Sequence, residues 1–241
     1  MSWRITDTEL LETALLELKL KLAQTIGVHD GMTVVDVGCG QGGFTVSLAK
    51  TVGEKGRVLA VDVSDEYFEE FTERLSRHGV KRIVNFVQAD AINLRDVMPD
   101  ETADVVASCR FLEELKQPKN MPKIVKEMAR IGKRSRKVAI TELCTEPENE
   151  AEEAYIRLHQ ESGDSFSEPH ELTEAMKRAK LADIHVEKVE TNIWFSPDLA
   201  KRNLSHAQVW FDADVAKSLG QLIDKHGMKY PAFLVFSGTK E

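Results

Sequence analysis

The sequence has no long apolar run and only three cysteines, and each scarcity excludes a class of protein. No apolar stretch approaches the roughly 20 residues that a membrane-spanning helix needs. Residues 1–30 lack a basic segment followed by an apolar core, so we expect no secretory signal peptide. Cys39, Cys109 and Cys144 are widely spaced and form no Cys-x-x-Cys motif. This usage suits a reducing compartment rather than a disulfide framework, and it predicts a cytoplasmic protein.

Positive charge is also in short supply. The 241 residues include 32 Lys and Arg against 40 Asp and Glu, which gives a net charge of −8. An acidic chain is poorly suited to the nucleic acid backbone, which attracts a face rich in Lys and Arg, so we do not expect nucleic acid as a partner. The sequence has neither an internal repeat nor a low-complexity linker, which favours one domain over residues 1–241.

Apolar runs rich in β-branched residues alternate with helical patterns along most of the chain. This alternation predicts parallel strands joined by helices in a doubly wound α/β sheet. Ligands of such sheets bind beyond the carboxyl ends of the strands, where the strand order reverses. The predicted strands cover 32–39, 56–63, 82–90, 103–109, 137–144, 183–195 and 231–240, and the predicted helices cover 6–28, 43–53, 64–79, 121–133, 149–163, 168–182 and much of 197–228.

Polar residues and a glycine predict where some of these helices begin and end. Thr6 followed by Glu9 fits a capping box at the start of the first helix. Ser64 is the expected N-cap of the third helix, and Ser167 is that of the sixth. Gly79 is expected to end the third helix.

A glycine-rich loop follows the first predicted strand in the stretch TVVDVGCGQGGF. Gly38, Gly40 and Gly43 fit the Gly-x-Gly-x-x-Gly fingerprint, and Asp62 lies 22 residues after Gly40. Taken alone, this spacing is typical of a dinucleotide-binding unit. Asp36 changes the interpretation, because a carboxylate beside the loop would repel a pyrophosphate and attract an ammonium group.

Three acids end the first three strands of the predicted sheet. They are Asp36, Asp62 and Asp90. A carboxylate at the end of the second strand accepts hydrogen bonds from ribose hydroxyls in this type of fold. A zwitterionic, ribose-bearing ligand without phosphate suits the row better than a nicotinamide dinucleotide does, and S-adenosylmethionine is such a ligand.

The segments VVDVGCGQGGFT, VLAVDVS and VNFVQADAINL resemble the first three motifs of class I S-adenosylmethionine-dependent methyltransferases. The resemblance covers about residues 30–145 and is closest to the small-molecule members, including the ubiquinone/menaquinone-biosynthesis type. It implies a Rossmann-like sheet of seven strands, mostly parallel, whose last strand is antiparallel. Within one domain we expect an N-terminal helix in 1–28, a cofactor-binding half in 29–145, and an acceptor-side half with helical insertions in 146–241.

The resemblance also implies roles for individual residues. Around the methionine moiety it places Asp36 and the loop residues Gly38, Cys39, Gly40 and Gly42. It assigns the ribose to Asp62, the adenine to Val63, Asp90 and Ala91, and the region of the sulfonium and the acceptor to Arg110.

The acceptor side is less clearly marked. Arg110 and His159 are the candidate catalytic residues, and His159 could act as a base near neutral pH. Further candidates near the acceptor are Phe111, Glu113, Glu142 and Tyr155, and Trp194 and Trp210 either line a pocket or pack in the core. The three cysteines end strands that are expected to be neighbours, so they could cluster as soft ligands or, as is common, simply pack.

The expected acceptor is a small molecule. Residues 146–174 contain ten acids and one Arg, and they follow the fifth strand, so we expect an acidic lid over the active-site edge. Such a lid would repel RNA or DNA and tolerate a neutral or cationic acceptor. The segment SCRFLEE differs from the (N/D)PP(Y/F) motif of exocyclic-amine methylation, and we expect no metal site.

Three alternatives remain open from the sequence. One is methylation of RNA or protein, which the acidic segment disfavours. The second is a nicotinamide-dependent oxidoreductase, although the chain lacks a second substrate domain and a Tyr-x-x-x-Lys pair. The third is a non-catalytic S-adenosylmethionine-binding protein. A homodimer is also compatible with the sequence.

Overall fold

The computed structural model describes residues 3–207 and 211–241. The strands are β1 Trp3–Ile5, β2 Thr33–Val37, β3 Arg57–Asp62, β4 Val84–Gln88, β5 Ala103–Cys109, β6 Gly132–Leu143, β7 Leu181–Val189, β8 Ile193–Phe195, β9 Met228–Tyr230 and β10 Phe233–Lys240. The α-helices are α1 Thr8–Thr25, α2 Gly43–Val52, α3 Phe68–Arg77, α4 Met121–Ile131, α5 Glu150–Glu161, α6 Pro169–Arg178, α7 Pro197–Ala207 and α8 Ala213–His226. In these ranges no helix is both long and apolar enough to cross a bilayer.

Seven of the strands form one sheet in the order β4-β3-β2-β5-β6-β10-β7. The pairs β4–β3, β3–β2, β2–β5 and β5–β6 are parallel. Strand β10 is antiparallel to β6. Two hydrogen bonds show this, since one joins the end of β6 to the start of β10 and the other joins the start of β6 to the end of β10. The amide of Cys144 donates to the carbonyl of Ala232 at 2.8 Å, and Lys240 Nζ donates to the carbonyl of Gly132, also at 2.8 Å. The expected seven-stranded, mostly parallel sheet with an antiparallel last strand is therefore confirmed.

Both faces of the central strands are buried, which explains their continuous apolar sequence. Val34, Val35 and Val37 of β2 are fully buried, and so are Val58 and Val61 of β3. Strands covered on both faces need no alternation of polar and apolar residues. Each such side chain contributes about 1.5–3 kcal/mol of hydrophobic stabilisation.

The chain reverses its direction of travel across this sheet at β2. From β2 it continues through β3 to β4 on one side, and then crosses to β5 and β6 on the other. The reversal opens a crevice at the carboxyl ends of β2 and β5, which is where ligands bind in such sheets. The glycine loop follows β2 at this edge, and the three acids lie at or near the ends of β2, β3 and β4.

The described residues divide into two compact units. The larger unit comprises Leu16–Glu142, Ser167–Glu187 and Val235–Glu241. Among the described residues, the smaller unit comprises 3–15, 143–166, 188–207 and 211–234. Within the smaller unit β8 pairs in parallel with β1 and antiparallel with β9, while α5 packs on β9 and α8. One domain over residues 1–241 stays a prediction.

Two short strands and one break were missed from the sequence. The predicted strand 183–195 is two strands, and its second part, β8, joins the three-stranded sheet with β1 and β9. Asn192 lies between the two parts with a φ of 53° in the left-handed region. The predicted helical region 197–228 contains α7 and α8, and residues 208–210, including Trp210, lie outside the described residues.

All three predicted N-caps are wrong. Helix α1 is capped by Asp7, whose Oδ1 accepts the amide of Leu10 at 2.9 Å, because that carboxylate reaches the first turn directly. Ser64 Oγ accepts the amide of Glu66 in a turn before α3, which begins only at Phe68. The N-cap of α6 is Glu168 instead of Ser167, because Pro169 fixes the first helical residue.

Candidate active site

The glycine loop after β2 contains two glycines with different reasons for lacking a side chain. Gly38 has a φ of 74°, and a Cβ placed on it would lie 2.2 Å from the ring of Phe111. Gly40 has a φ of 46°, and a Cβ there would meet nothing within 4 Å. Gly38 is therefore required by the protein's own packing, whereas Gly40 faces open space that a ligand can approach.

Asp62 fixes this loop at the end of β3. Its Oδ2 accepts the amide of Gly40 at 2.8 Å, and its Oδ1 accepts the amide of Ser64 at 3.1 Å. A carboxylate oxygen has two lone pairs, so each oxygen keeps capacity for a further donor. Val63 follows directly and is 64 % exposed, which leaves an apolar surface beside the acid.

Asp36 lies beneath the loop and is almost fully buried, at 1 % exposure. Its Oδ2 accepts the hydroxyl proton of Thr45 at 2.6 Å, while Oδ1 has no hydrogen-bond partner among the described residues. Burial raises the pKa of Asp36 to about 6, although the Thr45 hydrogen bond and the positive charge of Lys19 oppose the shift. The carboxylate is thus held where a cationic donor would stabilise it.

The third acid of the row, Asp90, is exposed beyond the end of β4. Its Oδ1 accepts the amide of Ile92 at 3.0 Å, which forms a turn around the buried Ala91. The amide of Ala89 donates to the carbonyl of Asp62 at 2.8 Å and so joins the ends of β3 and β4. The structure therefore places the three acids at or near the carboxyl ends of the neighbouring strands β2, β3 and β4.

Arg110 begins the segment that follows β5. It has a φ of 55°, and its amide donates to the carbonyl of Thr141 in β6 at 2.8 Å. Its guanidinium pairs with the fully buried carboxylate of Glu113 at 2.5 Å. The side chain is therefore held in place, with about a fifth of its surface exposed.

Glu142 anchors the same segment from the end of β6. Its Oε1 accepts the amides of Phe111 at 3.2 Å and Leu112 at 3.0 Å, while Oε2 has no partner within the described part of the chain. Burial, followed by the negative charge of Glu113, raises the pKa of Glu142 to about 8. Glu142 thus fixes the backbone that carries Phe111 against Gly38.

Sequence reasoning missed two cations at this edge. The Nζ of Lys19 and the Nη1 of Arg74 lie 2.9 and 3.2 Å from the position that a Cβ on Gly43 would occupy. A signal for Lys19 was present, because it follows Leu15 by four residues and precedes Leu22 by three on the apolar face of α1. A lysine on that face is directed at the domain rather than at water.

Three further acceptor-side candidates belong to the smaller unit, namely Tyr155, His159 and Trp194, the last of which is 37 % exposed. The rings of Tyr155 and His159 pack with their centroids 4.5 Å apart on α5. His159 Nδ1 lies 2.9 Å from Asp164 Oδ2, and its side chain is 26 % exposed. A carboxylate on one ring nitrogen orients the imidazole.

Two of the cysteines remain protonated at neutral pH. Burial raises the pKa of the Cys109 thiol to about 12 and that of Cys39 further still. Cys144 lies in the smaller unit, where its Sγ is 3.7 Å from the carbonyl oxygen of Glu146. Protonated thiols are poor nucleophiles and metal ligands, so the packing interpretation is the better supported one.

With the site's geometry described, known proteins can be compared with the chain. A family model described as a methyltransferase domain matches residues 28–194. The chain belongs to this methyltransferase family. The match runs through the sheet from just before β2 into β8, and it confirms the family expected from the three motifs.

Curated relatives match over shorter stretches. The chain is 36 % identical to a demethylmenaquinone methyltransferase of Desulfitobacterium hafniense over 74 residues, which is 31 % of this chain and 29 % of that one. It is 31 % identical to the ubiquinone/menaquinone biosynthesis C-methyltransferase UbiE of Salmonella arizonae over 132 residues, 54 % of this chain and 51 % of the relative. The chain thus spans about half, or less, of the length of these relatives.

Solved structures match over nearly the whole chain. A cyclopropane-fatty-acyl-phospholipid synthase-like protein from Lactobacillus casei has a TM-score of 0.73 at 16 % identity, covering 95 % of this chain and 91 % of that protein. A SAM-dependent methyltransferase from Aquifex aeolicus has a TM-score of 0.55 at 21 % identity, with 95 % and 98 % covered. At sequence identities this low, the structural similarity establishes the fold alone.

Proposed function

We propose that the protein is an S-adenosylmethionine-dependent methyltransferase that acts on a small molecule. The observation that carries this proposal is the buried Asp36 carboxylate, with one oxygen unpartnered among the described residues, beneath a glycine loop fixed by Asp62. A pyrophosphate would meet a negative charge at this point, whereas the ammonium group of an amino acid would neutralise it.

The residues at the sheet edge suit this cofactor. The open face of Gly40 admits a ligand close to the backbone, and Asp36 would bind the ammonium group. Asp62 retains acceptor capacity for the ribose hydroxyls. Exposed Val63 offers an apolar surface to the adenine, while Asp90 and the backbone near Ala91 are polar groups within the same row.

S-adenosylmethionine supplies a methyl group already activated on a sulfonium. The task of the chain is therefore to bind and align the reactants rather than to activate the methyl group. Arg110, held by Glu113, would orient the acceptor, and Glu142 would keep that segment in register.

Some acceptors must lose a proton before or during methyl transfer. His159, whose Nδ1 lies 2.9 Å from Asp164 Oδ2, stays the candidate base predicted from the sequence. The acidic segment 146–174 favours a neutral or cationic acceptor over nucleic acid. The matched demethylmenaquinone methyltransferase and ubiquinone/menaquinone biosynthesis C-methyltransferase support a small organic acceptor. A cytoplasmic location and a homodimer stay part of the proposal.

Calorimetric titration of the full chain tests the cofactor. We expect S-adenosylhomocysteine and S-adenosylmethionine to bind and NADH not to bind. Asp62→Asn replaces one acceptor oxygen by an amide, so it should weaken S-adenosylhomocysteine binding about 10-fold or more. The matched control is Asp65→Asn, an exposed position three residues further on, which should bind as the wild type does.

Tight NADH binding without binding of either sulfur ligand would instead establish a dinucleotide enzyme. The acceptor can be sought by incubating the protein with methyl-labelled S-adenosylmethionine and a metabolite extract. Label should appear in small molecules rather than in RNA or protein, and its complete absence would favour a non-catalytic binding protein.

A further inference from the structure

One cavity of the smaller unit is bordered by residues to which no part of cofactor binding has been assigned. Its volume is about 630 Å³, and six described residues border it. They are Arg4 and Thr6 in and after β1, Trp194 and Phe195 of β8, and Ser196 and Pro197 where α7 begins. Cavities of about 300–1,000 Å³ are typical of sites for small organic molecules.

The pairing of β1 with β8 brings a charged side chain and an aromatic ring together at this cavity. Arg4 lies directly opposite Trp194 in the parallel ladder. Residues opposite each other share one face of a sheet, and their neighbours along each strand point to the other face. That other face carries Ile5 and Ile193, which are fully buried. Arg4 and Trp194 are therefore directed away from the core of the unit.

Trp194 provides a flat apolar surface beside the cavity. It is one of the large apolar residues of the chain that stay exposed. Lys229 of β9 lies opposite Trp194 in the antiparallel ladder, and its Nζ is 5.9 Å from the centroid of the ring. A ring held in this way by a neighbouring strand is suited to stack with a planar ligand.

Arg4 provides the charge of the cavity, because no other residue of its described lining is charged. Its side chain is exposed, and within residues 3–207 and 211–241 it forms neither a hydrogen bond nor an ion pair. A guanidinium presents its N–H groups in a planar fork that matches a carboxylate. The charge of the lining therefore favours an anionic ligand.

The hydroxyl groups of the lining are bonded within the protein. Thr6 Oγ1 donates to Asp7 Oδ2 at 3.1 Å, and Ser196 Oγ accepts the amide of Leu199 at 3.3 Å. The amide of Ser196 also donates to the carbonyl of Ile5 at 2.6 Å, which joins the start of α7 to the end of β1. These bonds fix the wall of the cavity, and the guanidinium supplies the charge that a ligand can use.

Positive charge beside a flat apolar surface favours one class of ligand. Neighbouring strands lie about 4.8 Å apart, so the guanidinium and the indole can contact the same small molecule. Arg4 would repel a cation, and one guanidinium beside an indole would leave part of the charge of a phosphate unpaired. We propose that this cavity binds a small aromatic carboxylate, whose ring stacks on Trp194 and whose carboxylate pairs with Arg4.

Two ligands and four variants separate the roles of the charge and the ring. Biphenyl-4-carboxylate is the probe, and biphenyl-4-carboxamide has the same rings without the charge. Arg4→Met removes the guanidinium, while the control Lys217→Met removes one positive charge from an exposed position on α8 of the same unit. Trp194→Leu removes the aromatic surface and Trp194→Phe keeps a ring. Calorimetric titration of the full chain measures binding, and thermal unfolding shows that each variant is folded.

The wild type should bind the carboxylate about 10-fold or more tightly than the carboxamide, as expected for a charge-assisted pair. Arg4→Met should lose this preference and Lys217→Met should keep it. Trp194→Leu should weaken the binding of both ligands about 3- to 10-fold, and Trp194→Phe should restore most of the loss. Saturating S-adenosylhomocysteine should not displace the carboxylate.

Four results would overturn the proposal. They are undetectable binding of the carboxylate to the wild type, equal binding of the two ligands, a preference that survives in Arg4→Met, and displacement by S-adenosylhomocysteine. Trp194→Leu that binds as the wild type does would remove the stacking. Arg4 is exposed, so its variant decides the question even if Trp194→Leu does not fold. Failure of the wild type to bind S-adenosylhomocysteine would instead contradict the proposed function and leave this cavity unaffected.

Discussion

Buried charged side chains in the two units of this molecule differ in how fully they are paired. In the smaller unit Lys229 Nζ lies 2.5 Å from Glu152 Oε1, both side chains are at most 8 % exposed, and Lys229 also lies over the ring of Trp194. In the larger unit Asp36 and Glu142 each keep a carboxylate oxygen that has no partner among the described residues. The Lys229–Glu152 pair is compensated, as is the Arg110–Glu113 pair of the larger unit, whereas Asp36 and Glu142 are not paired with a cation among the described residues.

This difference distinguishes buried charged residues that stabilise the fold from those that are candidates for binding a ligand. A buried ion pair contributes to stability only while both members are present, because either one alone is left unsolvated. An uncompensated buried charge lowers stability, and such costs are typical of sites adapted to a ligand rather than to the fold. Substitution should therefore destabilise the smaller unit and stabilise the larger one.

The largest effect is expected at the buried pair. Lys229→Met should lower the free energy of unfolding by about 3–5 kcal/mol, because Glu152 is then left buried without its cation. Urea denaturation followed by circular dichroism measures this change. The exposed Lys225→Met is the control, and adding Glu152→Gln to Lys229→Met should restore most of the loss. A loss below about 1 kcal/mol would remove the contrast between the units.

Glu142→Gln should have the opposite sign and depend on pH. The folded protein holds the Glu142 proton up to about pH 8, whereas the pKa of an ordinary Glu is 4.5. The folded state therefore binds more protons than the unfolded state in this window, and wild-type stability falls as pH rises through it. The variant should gain on the order of 3 kcal/mol relative to wild type between pH 4.5 and pH 8.

Thermal unfolding at several pH values measures the difference in stability between Glu142→Gln and the wild type. Glu54→Gln, in an exposed turn, is the control. The amide introduced by Glu142→Gln can change stability by a constant amount at every pH, so the test uses only the change of the stability difference with pH. A stability difference that does not vary between pH 4.5 and pH 8 would mean that Glu142 is ionised over this whole range.

The stability of Asp36→Asn relative to the wild type should also rise with pH, but by less than that of Glu142→Gln. The pKa of Asp36 is raised from 3.8 to about 6, so wild-type stability should fall between these pH values by on the order of 2 kcal/mol and then level off. The variant should lack this fall and should also lose S-adenosylhomocysteine affinity. Parallel Tm and calorimetric measurements check both parts, and Asp30→Asn, on the exposed surface of the same unit, is the control. Unchanged affinity would contradict the role given to this carboxylate.

The smallest effect is expected at the partly exposed pair of the smaller unit. Asp164→Asn removes the charge beside His159 Nδ1 and should cost about 0.5–1 kcal/mol, because solvent screens the pair. Chemical denaturation at pH 6 and pH 8 measures it. A cost as large as that of Lys229→Met would show that exposure does not decide the strength of these pairs.

The central sheet was predictable because its signal is local. The apolar centres of 33–37 and 57–62 are largely buried, and each strand was correctly assigned from its composition. The three acids likewise lie at or near the carboxyl ends of β2, β3 and β4, as the sequence predicts. Helix starts were less predictable because neighbouring groups compete: Asp7 replaced Thr6 as the N-cap of α1.

The electrostatic character of the site could not be predicted in the same way. The unpartnered oxygen of Asp36 and the raised pKa of Glu142 depend on burial by segments distant in the sequence. The contact between Phe111 and Gly38 joins residues 73 positions apart, and Lys19 reaches Gly43 from another helix. Periodicity indicates that Lys19 faces the domain, but packing decides which residue each of these side chains contacts.

The insertion of β10 between β6 and β7 has a consequence for biosynthesis. A ribosome releases β6 about a hundred residues, and β7 about fifty, before it releases the strand that must join them. Until then both earlier strands present open edges to other nascent chains, a condition that promotes intermolecular strand pairing. Shielding of those edges by a chaperone during translation is therefore expected to govern how much of the protein reaches its native form.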